Sequence, residues 1–547
     1  MSSPYSDPAP RIGRTHPEVI NGRVREWAAI AVTTLIPIVL AFAISVEMPE
    51  PTVKSVVEVF GIVLGAVGVV ALVLSARYTV TLTLLAFYLG VLDGPIKLEA
   101  ANKIASGFRD ILIIAIGVGM LMRAASRKEP LKLPPLAGWV LAFVAMAAVE
   151  ALNPDTNGIL KVVGGYRQEL EFVPLFFFGY LIMRDKQRFR QLFLILGVIA
   201  LANGVVGAYQ SRLSPGGLAG WGPGYGSDVA GKSESAKGLG RTYAVEGVAH
   251  PRPPALGSDS GFGGGVGVLA LPGLMALLTV PRMRRQWPIL LCALGAVLGI
   301  ATAASRTSII IAVTTLVSFG LLSMIAGIRV ARPLAGLIAV LVLAGGVAWA
   351  LVAADGSEVF HRQEALVTTL TKATGSSSES ESGNEKGTGG DGKEKHLSEI
   401  PRDLVDAPFG LGLGVSGSAG GFGGHEKVTI EGEKVSGGSA YNLLAVELGA
   451  PGLLLWIGLT LSVLMLGVRR LRRVVDPELR IYVVALLASY VGFTVQGLAG
   501  TTLAVTPAGA YLWFVPGVIA YWFAGPGRTA LGQSSRAELI TASPATA

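Results

Sequence analysis

Gly437-Gly438-Ser439-Ala440-Tyr441-Asn442-Leu443-Leu444-Ala445-Val446-Glu447-Leu448-Gly449-Ala450-Pro451-Gly452 marks the point where a long polar segment, residues 355–440, gives way to an apolar run. Most of the remaining chain consists of apolar runs of membrane-spanning length. A hydrophilic insert between such runs has to stand at a membrane face, because irregular backbone in lipid leaves its N–H and C=O groups without partners. The flanking helices support it, and chemistry is expected there.

Composition agrees with that reading. The 547 residues are 51% hydrophobic and 15% charged, with mean hydropathy +0.57, outside the range of soluble globular proteins. A net charge of +8 does not point to nucleic acid, since the basic residues form short clusters between apolar runs. The single cysteine, Cys292, excludes an intrachain disulfide and a Cys-based zinc cluster. Arg11, Arg14, Arg23 and Arg25 precede the run 27–46, the order of a signal anchor, and a retained first helix is expected.

A helix rising 1.5 Å per residue needs roughly 20 apolar residues to cross the hydrocarbon layer. The runs are 27–46, 55–76, 78–93, 111–125, 134–152, 171–184, 191–210, 260–280, 287–304, 307–326, 333–354, 441–466, 480–503 and 508–524. The expected fold is an all-α polytopic helical bundle of about 12–14 transmembrane helices with a large extracytoplasmic loop. Lys and Arg concentrate in cytoplasmic loops, and alternate loops here are basic: Arg123, Arg127, Lys128 and Lys132; Arg184, Lys186, Arg188 and Arg190; Arg282, Arg284 and Arg285; Arg329 and Arg332; Arg469, Arg470, Arg472 and Arg473. Both termini are then cytoplasmic, in a plasma (inner) membrane, and the loops 211–257 and 355–440 lie outside.

The expected organisation is a basic tail at 1–26, a transmembrane region at 27–354, the loop at 355–440, a second transmembrane region at 441–524 and a tail at 525–547. Residues 374–395 are Ser, Gly, Glu and Lys without an apolar anchor and are expected to be disordered. From His396 a few apolar positions return, and Gly410-Leu411-Gly412-Leu413-Gly414 follows, which predicts a short helix entering a tight turn. Outside a strand–helix context this glycine run is poor evidence for nucleotide binding.

Arginines on the outer side run against the charge rule, and Arg109, Arg167, Arg241, Arg252, Arg306, Arg362 and Arg402 map there. Arg306 lies in Ala303-Ala304-Ser305-Arg306-Thr307-Ser308, the whole connection between two runs. An arginine there either snorkels from a helix end or presents its planar fork to phosphate oxygens at headgroup depth. Arg167 has carboxylate neighbours in Tyr166-Arg167-Gln168-Glu169-Leu170-Glu171, so simple ion pairing is the competing account. Arg252 is held in a proline-stiffened approach, where a loop anchor competes with a positioned contact. Four of the five histidines, His250, His361, His396 and His425, lie outside without metal spacing, so no metal is expected. His396 begins the part of the loop expected to be ordered and has a pKa suited to general base work.

Three segments carry a resemblance to the O-antigen ligase and polymerase family of bacterial membrane glycosyltransferases. Ser305-Arg306-Thr307 resembles the family's Ser-Arg segment, Pro408-Phe409-Gly410-Leu411-Gly412-Leu413-Gly414 its Pro-x-x-Gly-x-Gly turn, and Glu447-Leu448-Gly449-Ala450-Pro451-Gly452 its Glu-x-Gly-x-x-Gly helix. The resemblance covers about residues 165–525. It implies inverting, metal-independent and cofactor-free transfer of a glycan from undecaprenyl diphosphate to an acceptor glycan or lipid on the outer face, with polysaccharide assembly proteins as possible partners. It supports Arg306 as a diphosphate contact, with Arg362 or Arg402 as a second; Arg167 and Arg252 complete the candidate set. His396 and Glu447 are the candidate catalytic residues. The ligases' histidine, eleven residues before the glycine that is Gly449 here, falls on Gly438, which cannot accept a proton. That departure favours a polymerase or a ligase-like transferase over a lipopolysaccharide ligase. The competing classes are a lipid-linked oligosaccharide flippase or transporter, and a non-catalytic assembly protein. A transporter calls for mid-span charges or paired repeats, and the sequence has few of the former and none of the latter.

Overall fold

The structure is a computed structural model, described here for residues 65–71, 73–74, 103–126, 133–156, 158–221, 225, 242–245, 248–251, 253–257, 260–280, 286–303, 305–328, 391–417, 419, 429–430, 433–434 and 438–527. The chain divides into two compact units, residues 1–77 with 111–132, and residues 78–110 with 133–547. In the first, Ala115 and Met122 of helix α1 (Lys103–Ser126) pack on Ala66 and Val70 of a helical stretch.

The second unit holds the remaining helices: α2 (Ala137–Glu150), α3 (Ile159–Leu170), α4 (Pro174–Ile182), α5 (Lys186–Gln210), α6 (Pro215–Ala219), α7 (Ser260–Thr279), α8 (Trp287–Thr302), α9 (Arg306–Ile325), α10 (Asp391–Asp406), α11 (Ala440–Arg470), α12 (Pro477–Gln496) and α13 (Ala508–Ile519), the last continuing as a π-helical turn, Ala520–Ala524. Two antiparallel hairpins interrupt the expected all-α pattern. Strands β1 (Thr242–Val245) and β2 (Val248–Pro251) pair Tyr243 with His250, and β3 (Thr429–Ile430) and β4 (Glu433–Lys434) pair Ile430 with Glu433. Both fall in polar insertions, where a short ladder satisfies backbone groups that no helix takes up.

Helices stand where the apolar runs predict them, with shifted ends. The run 480–503 is helical only from Pro477 to Gln496, and the run 441–466 extends to Arg470. Helix α10 begins at Asp391, inside the segment expected to be disordered; residues 374–390 lie outside the described residues. The runs 27–46, 78–93 and 333–354 also lie outside them.

Helix α7 is central, packing on α5, α8, α9 and α12, while α4 pairs with α13, α9 with α12, and α2 and α10 with α11. Small residues bring these helices close: a Cβ on Gly204 of α5 would stand 2.0 Å from the Gly295 carbonyl oxygen of α8. Four helical stretches are long and apolar enough to cross a membrane, Lys186–Gln210, Thr307–Ile325, Ala440–Arg473 and Pro477–Gln496. Shorter apolar helices are Ala137–Glu150, Gly264–Thr279, Trp287–Thr302 and Ala508–Ala524. On α9, Ile310, Val313, Val317, Leu321 and Met324 are exposed at helical spacing, an apolar stripe suited to lipid.

Helix α9 runs antiparallel to α12. Arg480 Nη1 of α12 donates to the Ala326 carbonyl (3.1 Å) just beyond α9, whereas a Cβ on Gly492 would touch Thr315. Arg306 therefore starts α9 at the end of the bundle where the Gly497 carbonyl, just past α12, accepts the Ala440 N–H that opens α11 (2.9 Å). Arg472, Arg480, Lys186 and Asp476 gather at the opposite end, where Arg472 Nε bonds the Ile325 carbonyl (2.6 Å) and Lys186 Nζ meets Asp476 (2.9 Å).

Candidate functional site

The glycine turn and the Glu-x-Gly segment, 33 residues apart from Gly414 to Glu447, form one structure. Helix α11 breaks at Gly449, whose φ of 62° and ψ of −164° no helix contains, and Pro451 follows without an N–H. Regular helix would pair the Ala450 N–H with the Val446 carbonyl. Instead Ala450 N–H donates to the Pro408 carbonyl (2.9 Å), and the Val446 carbonyl accepts from Leu411 N–H (2.8 Å). The turn thus fills the hydrogen bonds that the helix break opens. Only glycine permits this approach, since a Cβ on Gly449 would lie 2.3 Å from the Phe409 carbonyl carbon.

The same turn is pressed onto α3 and the end of α2. Leu413 N–H donates to the Glu150 carbonyl (3.2 Å), and Asn153 Nδ2 reaches both Glu150 Oε2 (2.9 Å) and the Gly410 carbonyl (3.4 Å). Gly414, at φ 80°, meets the α3 backbone so closely that a Cβ would stand 2.1 Å from the Lys161 carbonyl oxygen. Helix α10 enters the turn from the other side, and its buried Asp403 accepts from Asn442 Nδ2 of α11 (3.0 Å). Burial pushes the Asp403 carboxyl up, against the lowering effect of that hydrogen bond.

Glu447 is the pin of this assembly. Its side chain is fully buried, and Oε1 accepts from Ser416 N–H (3.1 Å), Gln168 Nε2 (3.2 Å) and Ser416 Oγ (3.4 Å). Gln168 of α3 in turn accepts from Ala419 N–H (3.2 Å). Successive N–H groups of a glycine-rich turn make a concave anion site, and here it is filled by the protein's own carboxylate. The N–H groups of Gly410, Leu411, Leu413 and Ser416 are all taken up by the protein's own oxygens. Glu447 is buried behind the turn, tied through Oε1 to Ser416 and Gln168.

The other expected residues are spread differently. Arg306 is the first residue of α9, with Ser305 as N-cap accepting from Ser308 N–H (3.4 Å); the Arg306 side chain is not among the described ones. Arg167 pairs with Asp110 (3.3 Å) and lies 4.0 Å from Glu171, as the ion-pairing account requires. Arg402 is 41% exposed and 3.9 Å from Asp403. His396 lies within α10, with its side chain outside the described ones, and Arg252 and Arg362 lie outside the described residues altogether. Among the described residues no cluster of three or more His, Cys, Asp or Glu is placed to hold a metal.

Sequence reasoning missed Gln168, Glu169 and Ser416. A usable signal was Gly164-Gly165, which in a helix opens one side of α3 to a close neighbour, with Gln168 and Glu169 three and four residues further on the same face. What fold and site define is a helical protein with four helical stretches long and apolar enough to cross a membrane among the described residues, and a glycine turn locked between α2, α3 and α11. No family model matches the chain, and no curated protein matches it.

Proposed function

We propose that the chain is a membrane glycosyltransferase of O-antigen ligase or polymerase type, which transfers or polymerises glycan from an undecaprenyl-diphosphate-linked donor on the outer face of the inner membrane. The observation that carries this reading is that the glycine turn is locked onto Glu447 to Gly449 in α11, while Arg306 starts α9 at the end of the bundle where α11 begins. Arg472 and Lys186 of the positive-inside pattern lie at the other end.

In this reading an acceptor hydroxyl oxygen attacks the anomeric carbon, the bond from that carbon to the diphosphate oxygen breaks, and undecaprenyl diphosphate leaves. Arg306, with Arg402 on the exposed side of α10, holds the diphosphate and stabilises its developing charge. A base such as His396 takes the acceptor proton. Glu447 keeps the turn in place.

Arg306 directly follows the three residues that join α8 to α9, which leaves its backbone little room to follow a displaced ligand, so the side chain's shape matters. Arg306→Lys keeps charge but loses the fork; a charge-assisted contact is worth roughly 1.5–3 kcal/mol, so activity falls about ten- to a hundredfold. Arg306→Ala falls further with normal membrane insertion. Surface glycan analysis reads this out as chains lost, shortened to one unit, or left on the carrier. Wild-type glycan made by Arg306→Ala removes the reading's main residue. The topology is tested separately: reporters that fluoresce only in the cytoplasm are expected to be bright at the C-terminus and dark within 355–440.

A further inference from the structure

Beneath the glycine turn lie two carboxyl groups that the surrounding hydrogen bonds do not fully satisfy. Glu447 spends Oε1 on its donors, and Oε2 is buried without a hydrogen-bond partner. Glu169, next to Gln168 on α3, is 1% exposed, and neither of its oxygens has a partner. A carboxylate removed from water without donors or a counter-charge takes up a proton in preference to staying ionised. The two differ in a way that decides which one does so. N–H donors favour the carboxylate form of Glu447, and Glu169 has none.

We propose that Glu169 and Glu447 form a proton-binding site under the glycine turn, with one proton resident on Glu169. Uptake is the addition of H⁺ to the Glu169 carboxylate; release leaves two neighbouring buried negative charges and loosens the Gln168 link between α3 and the turn. Burial, and after it the neighbouring Glu447 carboxylate, push the Glu169 carboxyl well above the usual carboxylate range. Charged groups on α3 itself are Lys161, buried, and Arg167, which is engaged by Asp110 and Glu171. From the packed elements come Glu447 of α11 and Glu150 of α2, the latter bonded to Asn153, while the turn Thr502–Ala504 brings none. Asp403 of α10 is bonded by Asn442, which precedes Glu447 in α11. None of these is a cation bonded to Glu169 among the described residues.

The site is independent of the transferase reading, and its test uses no activity. The unfolding midpoint of the full-length chain in detergent is measured against pH for wild type and Glu169→Gln. An acid whose folded pKa is raised binds more protons folded than unfolded, so it makes stability fall as pH rises above the ordinary carboxylate range, levelling beyond its folded pKa. Wild type is expected to lose several degrees across that window, relative to Glu169→Gln. The glutamine is isosteric with the protonated acid, so it is expected to fold and to lose this component. Infrared spectra of wild type are expected to carry a protonated-carboxyl carbonyl band that bleaches on alkalinisation and is missing in Glu169→Gln. Parallel pH profiles for the two proteins, failure of Glu169→Gln to fold, or a midpoint that responds to sodium or calcium at fixed pH instead of to protons would each overturn the proposal.

Discussion

The two ends of the second unit treat polar groups in opposite ways. At the basic end, long cationic side chains reach carbonyls at or near helix C-termini: Arg188 to Ile182, Arg470 to Phe523, Arg472 to Ile325, and Arg480 to both Ala326 and Val474. The last carbonyls of a helix have no partner within it, and a cation there also meets the negative end of the helix dipole. Long side chains can shift when a neighbour changes, and water can replace them. At the glycine end, backbone meets backbone and the polar groups are buried, so nothing is free to relax. The lesson is that charge caps helix ends at one end, while shape holds the molecule together at the other.

The sharpest way to break this comparison is Gly414→Ala. The residue sits at φ 80°, and the new Cβ would lie 2.1 Å from the Lys161 carbonyl oxygen, against backbone on both sides. Backbone strain together with an overlap that no rotamer relieves is expected to cost about 3 kcal/mol or more. The measurement is the fraction of monodisperse protein and its unfolding midpoint in detergent. A variant as stable as wild type would mean the turn does not dock on α3 as described. Smaller by design is Arg480→Met, which keeps the stem and removes the two hydrogen bonds from its head to Val474 and Ala326. At a part-buried helix end the expected loss is about 1 kcal/mol, read from the same midpoint.

Much of the fold was legible because hydrophobic run length speaks directly to helices, and the runs at 191–210, 260–280, 287–304 and 307–326 stand as α5, α7, α8 and α9. Their ends were less so. The run 480–503 stays apolar past Gln496, but the chain turns at Gly497 to receive the Ala440 N–H, a tertiary event that hydropathy does not register. The turn and the Glu-x-Gly segment were each visible as motifs, but their joining through the break at Gly449 was not, because one hydrogen bond exchanged for another leaves no periodic signal. Glu447 therefore reads in sequence as a reactive acid and in structure as an anchor. Its partner Gln168 is 279 residues away, and Glu169 reads in sequence as one more interfacial charge beside Arg167.

The smallest effect is expected at the exposed ion pair of the basic end, and it sharpens the contrast most. Lys186 Nζ lies 2.9 Å from Asp476 and 3.3 Å from Glu478, with the lysine side chain 49% exposed. Asp476 does two jobs, since its Oδ1 also caps α12 by accepting from Glu478 N–H (2.9 Å) and Leu479 N–H (3.4 Å). Lys186→Met removes only the pair, and exposed pairs contribute about 0.5 kcal/mol, less in salt. Asp476→Ala removes the cap as well and is expected to cost about 1 kcal/mol. Midpoints of both variants at low and high salt separate the two contributions, because screening erases the Lys186→Met difference and leaves most of the Asp476→Ala difference. If Lys186→Met instead approached the cost of Gly414→Ala, the basic end would be holding the bundle together, and the division between a capping end and a holding end would fail.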